Sequence, residues 1–377
     1  MNQPKVLIVA NVAKEHIRKF HIPTINLLKD NGWRVDVACK LDVGIPEADN
    51  AYAMCWERTP FTIKTFKGMR ALRNIIAENQ YDIVYCHTPV GGLVTRFAAR
   101  SLRKKGVKVV YCAHGLHFFN GAPLINWLLY YPMERWMAKF TDMFIAINEE
   151  DYNRVTADFN HKMSVKLING IGVNFDRLNV KNPSEIRQEY RKQLNISQND
   201  IVLIYVAEII KNKNQQMIIR ALKEIHNRGY KAHLLLAGPD HHNGEFIQLA
   251  NNLGLSKNVH FLGWRSDIGN LMASSDIYVA SSIREGLGIN LVEAQFCHLP
   301  VVASSNRGHR SIIRDGQNGF LVPINNHIIM ANRIIELITD RTTYKKLSNV
   351  DVASYACDKV AQTIYSYLNE IIVSSLA

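Results

Sequence analysis

Two consecutive series of short apolar segments, each alternating with amphipathic stretches, constrain the fold of this chain more than any other feature. The first series begins with KVLIVANV at residues 5–12, and the second begins with IVLIYVAE at residues 201–208. Short runs that are apolar throughout are typical of strands in a parallel sheet that is covered by helices on both faces. The pattern therefore predicts an α/β protein with two doubly wound, Rossmann-like domains that face each other across a cleft.

The boundaries of these domains follow from the segment between the two series. Residues 181–199 are polar and contain Pro183, which indicates a linker with a helical stretch inside it. We therefore expect an N-terminal domain at 1–180 and a C-terminal domain at 200–345. Residues 346–377 carry helical patterns after the last predicted strand. A chain of 377 residues is long enough for two full cores.

The segment SSIREGLGINLVEAQF, residues 281–296, has the features of an anion-binding site. Glu285 and Glu293 flank a glycine-rich loop with Gly286 and Gly288, between a predicted strand and a predicted helix. The unpaired N–H groups at a helix N-terminus attract phosphate, and glycine lets a ligand approach the backbone. Carboxylates accept hydrogen bonds from hydroxyl groups. These properties predict a ligand with phosphate between polyols, which describes a nucleotide sugar.

Two glutamates alone would more simply be charges on a solvated helix face. Here the upstream strand and the downstream N-R-G-H-R at 306–310 favour the site. Together they resemble the E-x7-E region of retaining glycosyltransferases of family 4, which have the GT-B fold. The resemblance implies that Glu285 contacts the donor sugar in catalysis and that Glu293 binds the ribose. It assigns sugar and diphosphate contacts to Gly286, Leu287, Gly288, Ile289 and Asn290. In GT-B enzymes the terminal helix often crosses back to the first domain, and we expect the same here.

A second part of the predicted donor site follows the strand that begins at residue 201. Lys213 occupies the position of a family lysine that binds the donor diphosphate, and we assign it to catalysis. Glu208 stands where the family usually has an arginine, and a carboxylate there would repel the diphosphate. Either Glu208 points away, for example paired with Lys211 or Lys213, or another basic residue such as Arg310 supplies the missing charge.

Residues 259–268, VHFLGWRSDI, resemble the family segment that binds the nucleotide base through backbone groups. Gly263 and Arg265 are the candidate residues in this segment. The family favours uridine over guanosine as the base. No D-x-D cluster in a strand-end loop is evident, so the predicted reaction requires no divalent metal ion, and we expect no cofactor.

The N-terminal domain is expected to bind the acceptor through loops at the ends of its strands. Residues 81–152 resemble glycosyltransferases of bacterial capsule and exopolysaccharide clusters. His114 matches the position where relatives place a histidine near the donor sugar, and we assign it to catalysis. His16 and His87 lie in similar loops and are candidates for the acceptor face. Asn11 is a candidate donor contact in a loop that lacks the family's paired glycines.

Excess positive charge is concentrated in the N-terminal half. The net charge is +12, and most of it falls within residues 1–180. Helices predicted at 67–79 and 92–105 carry basic residues on one face, and the apolar stretch 124–131 includes Trp127. This combination suits an anionic membrane surface, unless the apolar residues belong to the core. The basic candidates are Arg70, Arg73, Arg100 and Arg103. No nucleic-acid-binding module accompanies the charge, so we expect no nucleic-acid partner.

We interpret the chain as a hexosyltransferase or N-acetylhexosaminyltransferase. It would move a sugar from a nucleotide sugar, favoured as a UDP-sugar, to a glycan or polyprenyl-diphosphate-linked acceptor. The setting would be capsule, exopolysaccharide or O-antigen biosynthesis. The six scattered cysteines and the lack of a signal peptide or membrane-length apolar run predict a cytoplasmic protein, peripheral at the inner face of the membrane.

Two other functions remain open at this point. A GT-B sugar-nucleotide epimerase would bind the same donor, and a partner subunit without catalysis would keep the same fold. A nicotinamide dehydrogenase is also doubly wound, but no G-x-G-x-x-G follows the first strand.

Overall fold

The computed structural model describes residues 3–57, 62–159 and 162–373. The chain divides into two units. The first consists of Met1–Gly172 and Tyr355–Ala377, and the second consists of Val173–Ser354. Each unit has its own parallel sheet, as the two series of apolar segments predicted.

The sheet of the first unit has seven strands. In chain order they are β1 (Lys5–Val12), β2 (Arg34–Lys40), β3 (Asn50–Ala53), β4 (Ile83–His87), β5 (Lys108–Ala113), β6 (Met143–Ala146) and β7 (Ser164–Leu167). They pair in parallel in the order β3-β2-β1-β4-β5-β6-β7. Every residue of β4 is buried, as expected for a central strand that is covered on both faces. The strand order reverses between β1 and β4, where sheets of this type bind ligands beyond the carboxyl ends of the strands.

Helices cover both faces of this sheet. They are α1 (Arg18–Phe20), α2 (Ile22–Asp30), α3 (Ile63–Asn79), α4 (Pro89–Ala99), α5 (Leu124–Met137) and α6 (Glu149–Asp158). Helix α3 begins four residues before the predicted start, because the side chain of Thr62 caps it by accepting from the Thr65 N–H. The helix predicted at 92–105 is two elements, because α4 ends at Ala99 and a 3-10 turn follows at Leu102–Lys105.

The sheet of the second unit has six parallel strands. They are β8 (Ile201–Val206), β9 (Ala232–Ala237), β10 (Val259–Gly263), β11 (Ile277–Ala280), β12 (Val301–Ser304) and β13 (Phe320–Val322). Their order is β10-β9-β8-β11-β12-β13, so the reversal lies between β8 and β11. The helices are α7 (Pro183–Gln193), α8 (Gln215–Asn227), α9 (Glu245–Asn252), α10 (Ile268–Ala273), α11 (Ile289–Phe296), α12 (Arg307–Arg310), α13 (His327–Thr339) and α14 (Arg341–Ser348).

The segment predicted as a linker, 181–199, is part of the second unit. Helix α7 lies in it, and the buried guanidinium of Arg191 donates to Asp276 Oδ2 at 2.8 Å. The same guanidinium donates to the carbonyl oxygens of Ser197 and Asp200. These bonds fasten the segment to the start of β8 and to β11, so the boundary between the units lies earlier, at Gly172.

The last helix, α15 (Cys357–Val373), belongs to the first unit although it follows the second in sequence. Its Tyr367 hydroxyl donates to the carbonyl of Leu167 in β7 at 3.1 Å. The ring of Tyr365 packs edge-on against Trp33. Of the predicted C-terminal helices, the part from Tyr355 onward therefore completes the first unit. Within the described ranges, each helix is too short or too polar to cross a lipid bilayer.

Candidate active site

Two loops of the second unit meet where its strand order reverses. The loop after β8 passes through the 3-10 turn Lys211–Lys213 into α8, and the loop after β11 leads into α11. The Ile283 N–H donates to the Asn212 carbonyl at 2.8 Å, and Asn212 Nδ2 donates to the Arg284 carbonyl at 2.9 Å. These bonds hold the two loops together, so the residues that they carry keep a fixed spacing.

The two loops bring the predicted catalytic residues of this unit into contact. Lys213 Nζ donates to Glu285 Oε1 at 2.5 Å, and both side chains are partly buried. The Lys213 carbonyl accepts from Ser281 Oγ at 2.8 Å, and Ser282 Oγ lies 2.7 Å from the Tyr205 hydroxyl. The site therefore presents one ammonium and one carboxylate at the same point, on backbone that is fixed by buried hydroxyl groups.

Glycine is required at two positions around Glu285. Gly288 has φ +82° and caps the N-terminus of α11, where a side chain would meet the ring of His309 at 2.8 Å. A side chain at Gly308 would meet Glu285 Cβ and the Leu287 nitrogen, each at 2.8 Å. The N-R-G-H-R segment thus packs directly on the glycine-rich loop, which explains why the two motifs occur together.

His309 is a site residue that the sequence reasoning missed. Its Nδ1 lies 2.8 Å from the Ser304 carbonyl and 3.0 Å from Asn306 Nδ2. Its Nε2 is buried and, among the described residues, has no hydrogen-bond partner. Burial lowers the pKa of His309 to about 4, so the ring is neutral near pH 7. A neutral ring nitrogen beside Gly288 can form a hydrogen bond with a ligand hydroxyl, which both donates and accepts.

Glu293 lies on α11, one turn after the first residue of the helix, Ile289, and is buried. Its carboxylate forms an ion pair with Arg177, which comes from the 3-10 turn Phe175–Leu178. The ring of Phe175 stacks on Phe296 at 4.2 Å and holds this turn against α11. Burial raises the pKa of Glu293, and Arg177 opposes that shift. A ribose hydroxyl would thus have to replace or share Arg177 as the partner of Glu293.

Among the described residues, Glu208 forms neither of the two ion pairs that the sequence suggested. It is exposed at the end of β8, and none of the described ion pairs joins it to Lys211 or Lys213. Lys213 is engaged by Glu285 instead, and Gln215 Nε2 holds the Glu208 carbonyl at 2.8 Å. Arg310 donates to the Ser305 carbonyl at 3.0 Å. Glu208 is therefore exposed to solvent, and the pairing with Lys211 or Lys213 that the first alternative allowed does not occur among the described ion pairs.

The predicted base-binding segment, residues 259–268, consists of β10 and the loop that leads into α10. Gly263 has φ +64°, and its carbonyl accepts from the Gly238 N–H at 2.8 Å. The Arg265 guanidinium is held by both carboxylate oxygens of Asp267, at 2.7 and 2.5 Å. Trp264 is 74% exposed between these two residues. The Arg265 side chain is thus engaged inside the unit, and a flat aromatic surface lies open beside Gly263.

The predicted acceptor residues of the first unit lie at the carboxyl edge of its sheet. His16 and His87 approach His114, and His87 Nδ1 lies 3.3 Å from His114 Nε2. Asn11 has a local role, because its Oδ1 accepts from Thr88 Oγ1 at 2.9 Å and from the Gly91 N–H at 3.1 Å. The side-chain oxygen of Asn11 therefore fastens the start of α4 to β1.

A cavity of about 270 Å³ adjoins His114. It is lined by Tyr111, His117, Tyr130 and Glu134, among other residues. The rings of His117 and Tyr130 stack at 4.6 Å. Stacked aromatic rings suit a sugar, because they can pack against its apolar C–H faces. This cavity is a candidate acceptor pocket within the first unit.

Comparison with known proteins identifies the family. Residues 186–350 match the family model described as "Glycosyl transferases group 1", and residues 5–148 match "Glycosyl transferase 4-like". The chain is 41% identical over 343 residues to the putative glycosyltransferase EpsD of Bacillus subtilis, which covers 91% of this chain and 90% of that protein. This chain belongs to family 4 of the glycosyltransferases.

A more distant relative and a solved structure are also similar to this chain over most of its length. The UDP-Gal:alpha-D-GlcNAc-diphosphoundecaprenol alpha-1,3-galactosyltransferase of Escherichia coli is 26% identical over 86% of this chain and 85% of that protein. HepE of Anabaena, solved in complex with UDP and glucose, superposes with a TM-score of 0.78 at 21% identity. That match covers 98% of this chain and 100% of HepE. The GT-B fold and the glycosyltransferase activity that the sequence predicted are confirmed.

Proposed function

We propose that this glycosyltransferase transfers a hexose or an N-acetylhexosamine from a UDP-sugar to a polyprenyl-diphosphate-linked glycan. The process would be the synthesis of a capsule, exopolysaccharide or O-antigen type polymer. The observation that carries the proposal is the contact between Lys213 and Glu285 at the strand-order reversal of the second sheet. The name of the Escherichia coli relative, which specifies a UDP-sugar and a diphosphoundecaprenol acceptor, supports this choice of substrates.

In this proposal the bound donor replaces the ion pair between Lys213 and Glu285. Each part of the donor, the diphosphate and the sugar, contacts one of these two residues. The diphosphate takes Lys213 and the amides at the start of α11, and a sugar hydroxyl takes the carboxylate of Glu285. Negative charge grows on the leaving phosphate oxygen as its bond to the anomeric carbon breaks, and Lys213 stabilises that charge. The acceptor hydroxyl bonds to the anomeric carbon from the same face, and its proton goes to a diphosphate oxygen. Lys213 supplies the charge at the diphosphate, so we assign no metal ion there.

The remaining donor contacts follow from the same placement. Uracil would lie against the backbone of Gly263 beside the exposed ring of Trp264, since the Arg265 side chain is held by Asp267. The ribose hydroxyls would compete with Arg177 for Glu293.

His114 would bind a sugar hydroxyl as a neutral imidazole, because burial lowers its pKa to about 4. Its Nε2 is directed toward His87, which leaves Nδ1 as the nitrogen for that contact.

Replacing Lys213 by alanine tests the diphosphate site. We expect Lys213→Ala to weaken the binding of UDP and of the intact UDP-sugar alike, because both contain the diphosphate. Loss of a charge-assisted contact of this kind should cost on the order of tenfold or more in affinity, measured by calorimetry. Lys211→Ala removes an exposed lysine from the same turn and should leave the affinity for UDP unchanged. Equal affinity of the two variants would place the diphosphate elsewhere.

We also propose that the first unit docks on an anionic membrane. On α5 five large apolar side chains are exposed: Leu124, Ile125, Leu128, Leu129 and Trp136. A cavity of about 440 Å³ between α3 and α4 is lined by Phe66 and Phe97, and its rim carries three exposed arginines. They are Arg70, Arg73 and Arg100. Phe97 contacts Trp136 of α5 with ring centres 5.2 Å apart, so the basic and apolar surfaces adjoin.

Two residues that the sequence assigned to this face are engaged elsewhere. The Arg103 guanidinium donates to both carboxylate oxygens of Asp142, at 2.9 and 2.6 Å. Trp127 packs toward Phe118, and the guanidinium of Arg154 covers its ring at 4.7 Å. Both side chains therefore stabilise the unit, and we exclude them from the proposed docking face.

The docking face predicts salt-sensitive binding to vesicles. The protein should sediment with vesicles that contain anionic lipid and should dissociate as salt rises, because salt screens exposed charges. Replacing Arg70, Arg73 and Arg100 together by alanine should weaken this binding by on the order of a hundredfold. The matched triple variant of Lys181, Lys192 and Lys257, all exposed on the second unit, should bind like the wild type. Equal sedimentation with neutral and anionic vesicles at low salt would contradict the proposal.

A further inference from the structure

Four histidines meet at the carboxyl edge of the first sheet, where its strand order reverses. His16 lies in the π-helical turn Ala13–Ile17 that follows β1, and His21 precedes α2. His87 is the last residue of β4, and His114 directly follows β5. Each histidine offers a ring nitrogen, and these four nitrogens all lie within 4.8 Å of one another.

Most of the cluster is buried without the hydrogen bonds that buried polar groups normally make. His21 is 1% exposed, and within the described residues neither of its ring nitrogens has a partner. The same holds for His16 Nε2. A buried polar atom without a partner is destabilising, so several around one point indicate a missing ligand. His114 is the most accessible of the four.

The spacing of the rings fits a single metal ion. Four nitrogens around a tetrahedral zinc ion, at about 2.0–2.1 Å each, are separated by about 3.3 Å. His87 Nδ1 and His114 Nε2 are already 3.3 Å apart. The ring centres of the four histidines lie between 4.0 and 6.4 Å from one another, and small side-chain rotations would bring all four nitrogens into range.

We propose that these four imidazoles bind one transition-metal ion of the zinc class. Neutral imidazole is the form that binds metal, and three of the four rings are buried. Imidazole ligands suit zinc, copper and nickel, whereas magnesium and calcium prefer oxygen. Metal binding is independent of the proposed donor chemistry, because it can be measured without any substrate.

The ion would fasten the turn that carries His16 to the ends of β4 and β5. π-Helical turns are rare and occur frequently at functional sites. Bound through Nε2, His114 would be fixed in orientation, and its Nδ1 would remain available beside the candidate acceptor pocket. The metal would therefore act as a structural tie that positions the loop 114–117.

The test uses the full chain, purified without a polyhistidine tag and stripped with a chelator. Titration with Zn²⁺ in a calorimeter should give about one ion per chain, and bound Zn²⁺ should raise the melting temperature by several degrees. Co²⁺ should give the visible absorption of a tetrahedral site, which a loosely bound surface ion lacks. A wild-type protein that binds no Zn²⁺ under these conditions would overturn the inference.

Variants separate a ligand role from a packing role. His21→Ala should lose Zn²⁺ binding, whereas His21→Cys, which offers a thiolate ligand, should retain it. His260→Ala is the matched control, because His260 is also largely buried, lies 3.1 Å from His233 and has a pKa that burial lowers to about 4. It should bind Zn²⁺ like the wild type. If His21→Ala does not fold, His114→Ala replaces it, and Zn²⁺ binding at wild-type affinity by the folded variant would contradict the site.

Discussion

Glu285→Gln should retain the fold and the affinity for UDP but lose about 99% of transferase turnover. The reason is that the carboxylate is proposed to hold a donor hydroxyl most strongly while charge develops at the anomeric carbon. Loss of one such transition-state contact typically raises the barrier by about 2–4 kcal/mol, which is on the order of a hundredfold in rate or more. The measurement is kcat with saturating donor, together with the melting temperature with and without UDP.

Glu336→Gln is the control for the loss of a carboxylate in the same unit. Glu336 forms a half-exposed ion pair with Arg333 on α13, and such pairs contribute little to stability. We expect its turnover to match the wild type. Wild-type turnover by a stable Glu285→Gln variant would remove Glu285 from catalysis.

Glu134→Ala should destabilise the first unit by about 3–5 kcal/mol, because it leaves a buried guanidinium without its partner. Arg96 is 1% exposed and donates to both oxygens of Glu134, at 2.7 and 3.1 Å. The same guanidinium lies 4.1 Å from the ring centre of Tyr111. The midpoint of urea unfolding should fall by about 1–2 M. Tryptophan fluorescence reports this, since four of the five tryptophans lie in the first unit.

Two further variants show whether the loss of stability in Glu134→Ala comes from the unpaired charge or from lost packing. Arg96→Met combined with Glu134→Leu replaces the pair by apolar side chains and should recover most of the stability, because no buried charge is left. Glu57→Ala removes one partner of the exposed pair with Lys64 and should change stability by less than about 1 kcal/mol. An unchanged midpoint for Glu134→Ala would show that Arg96 finds water or another acceptor.

The strands that the sequence indicates most clearly are the central ones, which are buried on both faces. β1, β4 and β5 are apolar runs, and their pairing order follows from the doubly wound pattern. β3 and β7 were missed because these short edge strands are exposed or half-buried and lack an apolar run. Arg96 lies within the predicted basic helix 92–105, yet its side chain is buried, because Glu134, 38 residues away in sequence, pairs with it.

The residues of the candidate site were likewise predicted only in part. Lys213 and Glu285 were recognised from local motifs, and the structure brings them into contact. Glu293 and Arg177 are 116 residues apart in sequence, so no local pattern predicts that they form a pair. His21 was missed for a related reason, because its neighbours come from two other strand ends. A single sequence indicates which residues carry chemistry, but distant partners depend on the fold.

The most direct test of the account is the anomeric configuration of the product. The purified protein is incubated with a panel of UDP-sugars and a polyprenyl-diphosphate-linked glycan, and the new glycosidic bond is examined by NMR. We predict a glycoside in which the anomeric carbon keeps the configuration that it had in the donor, with release of UDP. An inverted glycoside would contradict the retaining mechanism. An epimerised sugar without transfer, or no reaction with any donor while the second unit still binds UDP, would contradict the proposed transfer itself.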